Sequence, residues 1–390
     1  YGREISDKDV FVIAEIGNNH NGSLGRALNM VELAQKAGAD CVKFQIRDMK
    51  SLYRSKSINR ESDDLGTEYI LDLLDRFQLS IDDHRKIYDF CKKIGIIYMC
   101  TPWDETSVDI LEDFGVPAYK VASADLTNIP LISKIIKTEK PMILSTGMST
   151  ESEIKTTIRF LKGSDIEFAL LHCNSTYPAP FHDINLNWMN SLKKIHNLIG
   201  YSGHERGISV SLGAVTMGAM IIERHFTIDR NMEGPDHAAS LEFDEFKALV
   251  KGISEVKQAL GSASARGLSQ GEMINRENLG KSLVASTGLK KGTEISDEHI
   301  LVRSPGQGLS PQFKSKLIGK VAQRDIKKED YFYLSDIEEK TISAKDYDYK
   351  RPWGVPVRYH DFDEYNSRIK PNFFEFHLSY KDLDLDLDHY

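Results

Sequence analysis

The chain has 390 residues, more than one ordinary domain needs and enough for a large core with an appendage. Apolar residues make up 41% and charged residues 28%, a globular rather than a disordered balance. A net charge of −8, with no long run of Lys or Arg, excludes a general nucleic-acid binder but leaves room for a pocket where a few cations hold an anion.

The first segment, "YGREISDKDV", lacks the basic-then-apolar layout of a signal peptide. No apolar run reaches the roughly 18 residues of a membrane span. Four separated cysteines, none in a CxxC pair, read as reduced thiols, so the expected location is cytoplasmic, with no membrane or nucleic-acid partner. From Val10 to about Gly261, short apolar runs alternate with helical patterns. The runs are "VFVIAEIG", "DCVKFQI", "IIYMCTPW", "AYKVAS", "PMILSTG", "FALLHC", "LIGYSGH" and "MIIERHFT". Between them lie amphipathic stretches such as "LGRALNMVELAQKAG" and "ETSVDILEDFG", closed by a Gly that suits a helix C-cap. Near-continuous apolar strands joined by helices predict a parallel sheet covered on both faces. Eight of them in this length predict an α/β protein with a (β/α)₈ TIM barrel over residues 1–261. A doubly wound open sheet is the alternative, but it favours a GxGxxG after the first strand, where this chain has "EIGNNHNG".

A polar connector, residues 262–280, precedes a second region at 281–337. There "VASTGLKKGTEISD" and "VAQRDIKKEDYFYLSD" form a weak internal repeat, which predicts a small β-rich domain of two similar halves. Residues 338–390 change composition again, with "FFEFHL" and alternating Leu and Asp. This extension either packs on the rest of the chain or opens a further domain.

In a (β/α)₈ barrel the functional side chains gather at the C-terminal ends of the strands. Here those ends carry Glu15 and Asn18, Lys43 and Gln45, Thr101, Lys120 and Ser123, Ser145 and Thr146, Asn174 and Tyr177, Ser202 and His204, then His225 and Asp236. One polar strand end is usually a solvated turn; eight pointing the same way mark a site. Lys43 and Lys120 interrupt apolar runs, so each needs a buried counter-charge, from a protein carboxylate or a bound anion. His204 and His225 end neighbouring strands and suit a shared divalent cation such as Mn²⁺, Co²⁺ or Zn²⁺. Glu15 would project into the same mouth as an acid–base group, and "GPDHA" places Asp236 and His237 where they could orient a hydroxylated ligand.

In this order, "FVIAEIGNNHNGS", "CVKFQ", "TPWDETSVDIL", "YKVAS", "STGMST", "LLHCNSTYPAP", "IGYSGHERGI" and "ERHFTIDRNMEGPDHAASL" resemble the sialic acid synthase family. That family comprises the N-acetylneuraminate, legionaminic and pseudaminic acid synthases. The match runs from about Val10 to Asp336, and the repeat region with "RSPGQGLSP" resembles the family's antifreeze-like (SAF) domain. The resemblance implies condensation of phosphoenolpyruvate with an open-chain N-acylated amino sugar, with C–O cleavage and release of phosphate. By position, Lys43, Thr101, Lys120, Ser123, Ser145 and Ser202 resemble phosphoenolpyruvate contacts. Gln45, Asp125, Tyr177 and Asp236 resemble sugar contacts. His204 and His225 resemble ligands of a divalent metal, Mn²⁺ foremost with Mg²⁺ or Co²⁺ as alternatives, and Glu15 resembles the catalytic carboxylate. The family also implies a domain-swapped homodimer.

Three departures limit the carry-over. Asp125 stands where the family often has the longer Glu; Asn174 falls one place before a phosphate-contacting Asn, so that Ser175 is the alternative; and Ser304 holds the place of an Arg, leaving Arg303 as the candidate. The loop from Met49 to Leu65 is the expected place for choosing among hexosamines. A related 3-deoxy sugar acid synthase, a pyruvate aldolase and a catalytically silent sugar-acid binding protein remain as alternatives.

Overall fold

The computed structural model of the chain describes residues 4–6, 9–53, 65–338, 350–382 and 384. The chain divides into two compact units, residues 1–263 and 264–390.

In the first unit, eight strands run β1 (Phe11–Gly17), β2 (Cys41–Ile46), β3 (Ile97–Pro102), β4 (Tyr119–Val121), β5 (Met142–Ser145), β6 (Phe168–Cys173), β7 (Ile199–Gly203) and β8 (Ile221–His225). Each pairs in parallel with the next, and β8 returns to β1, which closes the barrel. The helices between them have local causes. Those over Leu24–Ala37, Ile81–Ile94 and Glu105–Phe114 begin on Ser23, Ser80 and Asp104, whose side chains accept a first-turn amide, and end at Gly38, Gly95 and Gly115. All four cysteines are buried and free. Among the described residues no helix is long and apolar enough to cross a membrane.

Strand parity places the site. Side chains alternate across a strand, so each strand sends one set outward to the helices and the other into the barrel. Val12, Ala14 and Ile16 of β1, Val42 and Phe44 of β2, and Tyr98 and Cys100 of β3 join the large core under the helices. Their alternates Phe11, Ile13, Cys41 and Met99 meet Ile143, Leu171 and Ile221 in a separate apolar cluster. Continuing the inward parity toward the strand ends reaches Glu15, Lys43, Thr101 and Glu223, all buried. The barrel thus fills its lower half with hydrocarbon and its upper end with charge. The backbone register sets Glu15 level with Lys43 on one side and His225 on the other.

The second unit contains a helix, Gln270–Leu279, inside the stretch expected as a connector; Ser269 and Glu272 form its capping box. β9 (Ser282–Ala285) and β10 (Ile300–Arg303) pair antiparallel. The repeat read from the sequence is a pseudo-two-fold: Leu289 and Ile326, equivalent positions of the two copies, bond each other through both amides at 2.7 and 2.8 Å. The bridges Val284 to Tyr331 and Glu294 to Val321 lie symmetrically about them. Leu283, Leu289, Ile295, Ile326 and Phe332 form the core of this region. Further on, β11 (Gly354–Val357) and β12 (Phe373–Phe376) pair in parallel around the helix Phe362–Arg368, with the Phe362 ring 5.1 Å from Phe374.

Candidate active site

A cavity of about 340 Å³ lies at the C-terminal end of the barrel. Glu15, Lys43, Gln45, Thr101, Lys120, Ser123, Ser145, Ser175, Tyr177, Ser202, His204, His225 and Asp236, all expected from the sequence, border it. Of the residues expected in the barrel, Asp125, Thr146, Asn174 and His237 do not. Asp125 is turned to Asn128, whose Nδ2 donates to its Oδ1 at 2.9 Å. The Asn174 side chain donates to the Asp183 carbonyl at 3.0 Å, while its own carbonyl accepts from His204 Nδ1 at 2.6 Å. Arg303 is an exposed residue of the second unit. Residues 54–64 of the expected selectivity loop lie outside the described residues.

The cavity floor is a buried charge network. Lys43 Nζ lies 2.7 Å from Glu15 Oε2 and donates to Thr101 Oγ1 at 3.0 Å. Lys120 Nζ donates to Ser145 Oγ at 2.7 Å. Between the two lysines sits Glu223, with Oε2 3.9 Å from Lys43 and Oε1 3.8 Å from Lys120, accepting from Ser202 Oγ at 3.0 Å. Burial would raise the Glu223 carboxyl, but Lys120 and Lys43 outweigh it and hold it below the usual carboxylate range. Burial raises the Glu15 carboxyl above the usual carboxylate range, against the pull of Lys43. Burial alone would lower Lys43; Glu15 and Glu223 reverse that and raise it, whereas Lys120 stays lowered by burial.

Across the cavity the rings of His204 and His225 lie 5.3 Å apart, with Tyr177 4.1 Å from the first and 5.6 Å from the second. The bond of His204 Nδ1 to the Asn174 carbonyl fixes the ring and turns its other nitrogen away from that contact. His225 Nδ1 is buried without a hydrogen-bond partner, 3.8 Å from Asp236 Oδ2. Burial, His204 and Lys43 hold His225 well below its usual value, so its lone pair is free. One imidazole held by a hydrogen bond and a second with a buried, unsatisfied nitrogen are a donor set that fits a divalent cation. Among the described residues no group of three or more His, Cys, Asp or Glu could hold a metal ion, so the protein offers a pair, not a cage.

His237 departs from its expectation. Its Nδ1 meets Thr227 Oγ1 at 2.7 Å and its Nε2 meets Asn21 Oδ1 at 3.0 Å, so both ring nitrogens are committed to the loop and neither can orient a ligand. Sequence reasoning missed Glu223 and Arg47; strand period could have found Glu223, two residues from His225 on the same face of β8, while Arg47 stands two residues after Gln45, just past the end of β2. Behind the site, Arg224 is paired with Glu205 at 3.0 Å, both fully buried, and Glu205 accepts from Tyr201 at 2.7 Å, which braces the loop carrying His204.

The sequence pattern of the NeuB family matches residues 30–265, and that of the SAF domain matches residues 280–338. The N,N'-diacetyllegionaminic acid synthase of Campylobacter jejuni is 38% identical over 83% of this chain and 98% of its own length. The N-acetylneuraminate-9-phosphate synthase of Homo sapiens is 35% identical over 82% of this chain and 90% of its own. Among solved structures, an N-acetylneuraminic acid (sialic acid) synthetase of Leptospira borgpetersenii serovar Hardjo-bovis, in complex with citrate, aligns with a TM-score of 0.62 at 32% identity, over 70% of this chain and 92% of that one. With a matched stretch that takes in β2 to β8 and their helices, and relatives aligned over nearly their full length, this chain belongs to the NeuB family.

Proposed function

We propose that the chain makes a nonulosonic acid by joining phosphoenolpyruvate to an open-chain N-acylated amino sugar, with water adding at carbon 2 and phosphate leaving by C–O cleavage. The observation that carries this reading is the pair of buried lysines, Lys43 and Lys120, ringed by hydroxyls and set opposite two imidazoles in one cavity. Ammonium and hydroxyl donors in a water-poor floor suit a phosphate and a carboxylate on one small molecule. Thr101, Ser123, Ser145, Ser175 and Ser202 supply the hydroxyls at that end. Glu223 favours the charged form of both ammoniums against their burial before the anion arrives. The acceptor sugar then lies toward Gln45, Tyr177 and Asp236, where amide, phenol and carboxylate can read its hydroxyl and acyl groups. Glu15, held by Gln45 Nε2 at 2.8 Å, is placed to hold or release a proton between the two substrates. His204 and His225 would hold a divalent cation, Mn²⁺ foremost, which polarises the aldehyde oxygen when bound. Arg303 and a swapped homodimer belong to the same proposal, with the second unit of one protomer serving the barrel of the other.

The test is phosphate release from phosphoenolpyruvate and Mn²⁺ with N-acetylmannosamine or 2,4-diacetamido-2,4,6-trideoxyhexoses, beside a chelator control. Chelator-sensitive release with one of these sugars is expected. His204→Ala should lose that activity and its Mn²⁺ electron-resonance signal while keeping the far-ultraviolet dichroism of the barrel. Wild-type turnover in that variant would overturn the metal assignment, and condensation of pyruvate without phosphate release would point to an aldolase.

A further inference from the structure

A second cavity of about 300 Å³ adjoins the first. Asn18, Gln45 and Arg47 border both, so these three side chains form the partition between them. Arg47 is the bulkiest of the three and is held on two sides. One amino group donates to Gln45 Oε1, and the guanidinium stacks over Trp103, 4.8 Å from the ring centroid. It is 8% exposed, and none of the ion pairs among the described residues includes it. Beyond the partition the lining is mixed, with Ile46, Phe77, Leu79, Ile81 and Ile110 beside the polar Asp48, Gln78, Ser80, Thr106 and Ser107. The two histidines there are uncharged at neutral pH. Burial takes His20 to about 3 and His84 to about 4, with His20 Nδ1 accepting from the Gly22 amide and His84 Nδ1 meeting the Tyr98 hydroxyl.

Resting on the reading above, we infer that Arg47 is a specificity-determining residue: it is the wall that limits how large an acyl substituent the acceptor sugar can carry. A cavity of about 150 Å³ already holds a benzene-sized group. The space behind Arg47 is twice that, and its lining, five apolar side chains with the Asp48 carboxylate, neutral histidines and hydroxyls, suits an uncharged group rather than a second anion. In the wild-type protein the wall stands because the Trp103 stack and the Gln45 bond keep the guanidinium from swinging aside. Bulk, not charge, is therefore what excludes the larger group.

The experiment compares kcat/KM, in the full chain with Mn²⁺, for N-acetylmannosamine and 2,4-diacetamido-2,4,6-trideoxymannose against their N-phenylacetyl analogues. Arg47→Ala is expected to narrow the preference for the N-acetyl sugar by about tenfold or more, whatever it does to the absolute rate. Arg47→Met, close in length and uncharged, is expected to keep the wild-type preference within about threefold. An Arg47→Ala protein with unchanged preference overturns the inference. So does an Arg47→Met protein that shifts as far as the Ala variant, because the guanidinium would then act by hydrogen bonding. Absence of phosphate release by the wild type with every acceptor defeats the functional reading instead, and the two failures are distinguishable.

Discussion

Gly17 ends β1 at φ +51°, in the left-handed region. A Cβ there would lie 3.1 Å from Glu15 Oε1 and from Gln45 Nε2, and 3.2 Å from Asp236 Oδ2, so the polar convergence at the first strand end requires a residue without a side chain. Gly17→Ala should cost about 1–2 kcal/mol of stability from the left-handed backbone. It should also lower turnover by about tenfold or more, because misplacing groups by an ångström at a site is expensive. Thermal melts and steady-state rates check both, and a variant with wild-type turnover would show that Glu15 tolerates displacement. The residues that follow divide in a way their types do not reveal. Asn18 borders the cavity, whereas Asn19 donates to the Phe226 carbonyl and Ser240, and Asn21 donates to the Glu233 carbonyl. Amides that read a ligand and amides that stitch two loops together look alike in a sequence, since both only need a partner.

At the level of strands and helices, the inward face of each strand was legible because its period is two and its apolar run is short. The place of Glu223 between two lysines was not, because "IIERH" reads as the polar exit of a strand until the barrel closes and sets its carboxylate between Lys43 of β2 and Lys120 of β4. The Arg224 to Glu205 pair behind β8 was equally hidden, since adjacent residues of a strand face opposite sides. Arg224→Met strands the Glu205 carboxylate without its cation and should cost about 3–5 kcal/mol, measured by urea unfolding. An unchanged midpoint would remove the pair from the fold's supports. The helix Ile81–Ile94 carries a pH term through His84, which burial takes from 6.5 to about 4. A depressed folded value means the folded state binds fewer protons than the unfolded one between those pH values. The stabilisation is therefore complete above pH 6.5 and is lost as pH falls toward 4, by about 3 kcal/mol in all. His84→Gln should flatten the fall in melting temperature between pH 6.5 and 4.5; an equally steep fall would assign the acid lability to other groups.

For the whole chain, the proposed exchange of second units has a direct genetic test. Lys120→Ala should cripple the proposed anion end of the barrel, and Arg303→Ala removes the candidate contribution of the second unit. In a swapped dimer, co-expression of the two variants leaves one of the two sites in each mixed dimer with both residues intact, so activity returns. Mixed dimers as inactive as either parent would place Arg303 within its own chain's site, and an Arg303→Ala parent of full activity would place it outside any. The sequence by itself determined the eight-fold alternation of strand and helix, the polar strand ends, the two imidazoles and the internal repeat. Each of these is written in local periods and residue types that any window of the chain displays. Only the tertiary structure decided which carboxylate stands between Lys43 and Lys120, that His237 is spent on Thr227 and Asn21, and that Arg47 divides one cavity from another. Those are relations between residues far apart in sequence, fixed by barrel closure, strand register and the burial of charge, and no local pattern encodes the distance between two side chains that meet only when the chain has folded.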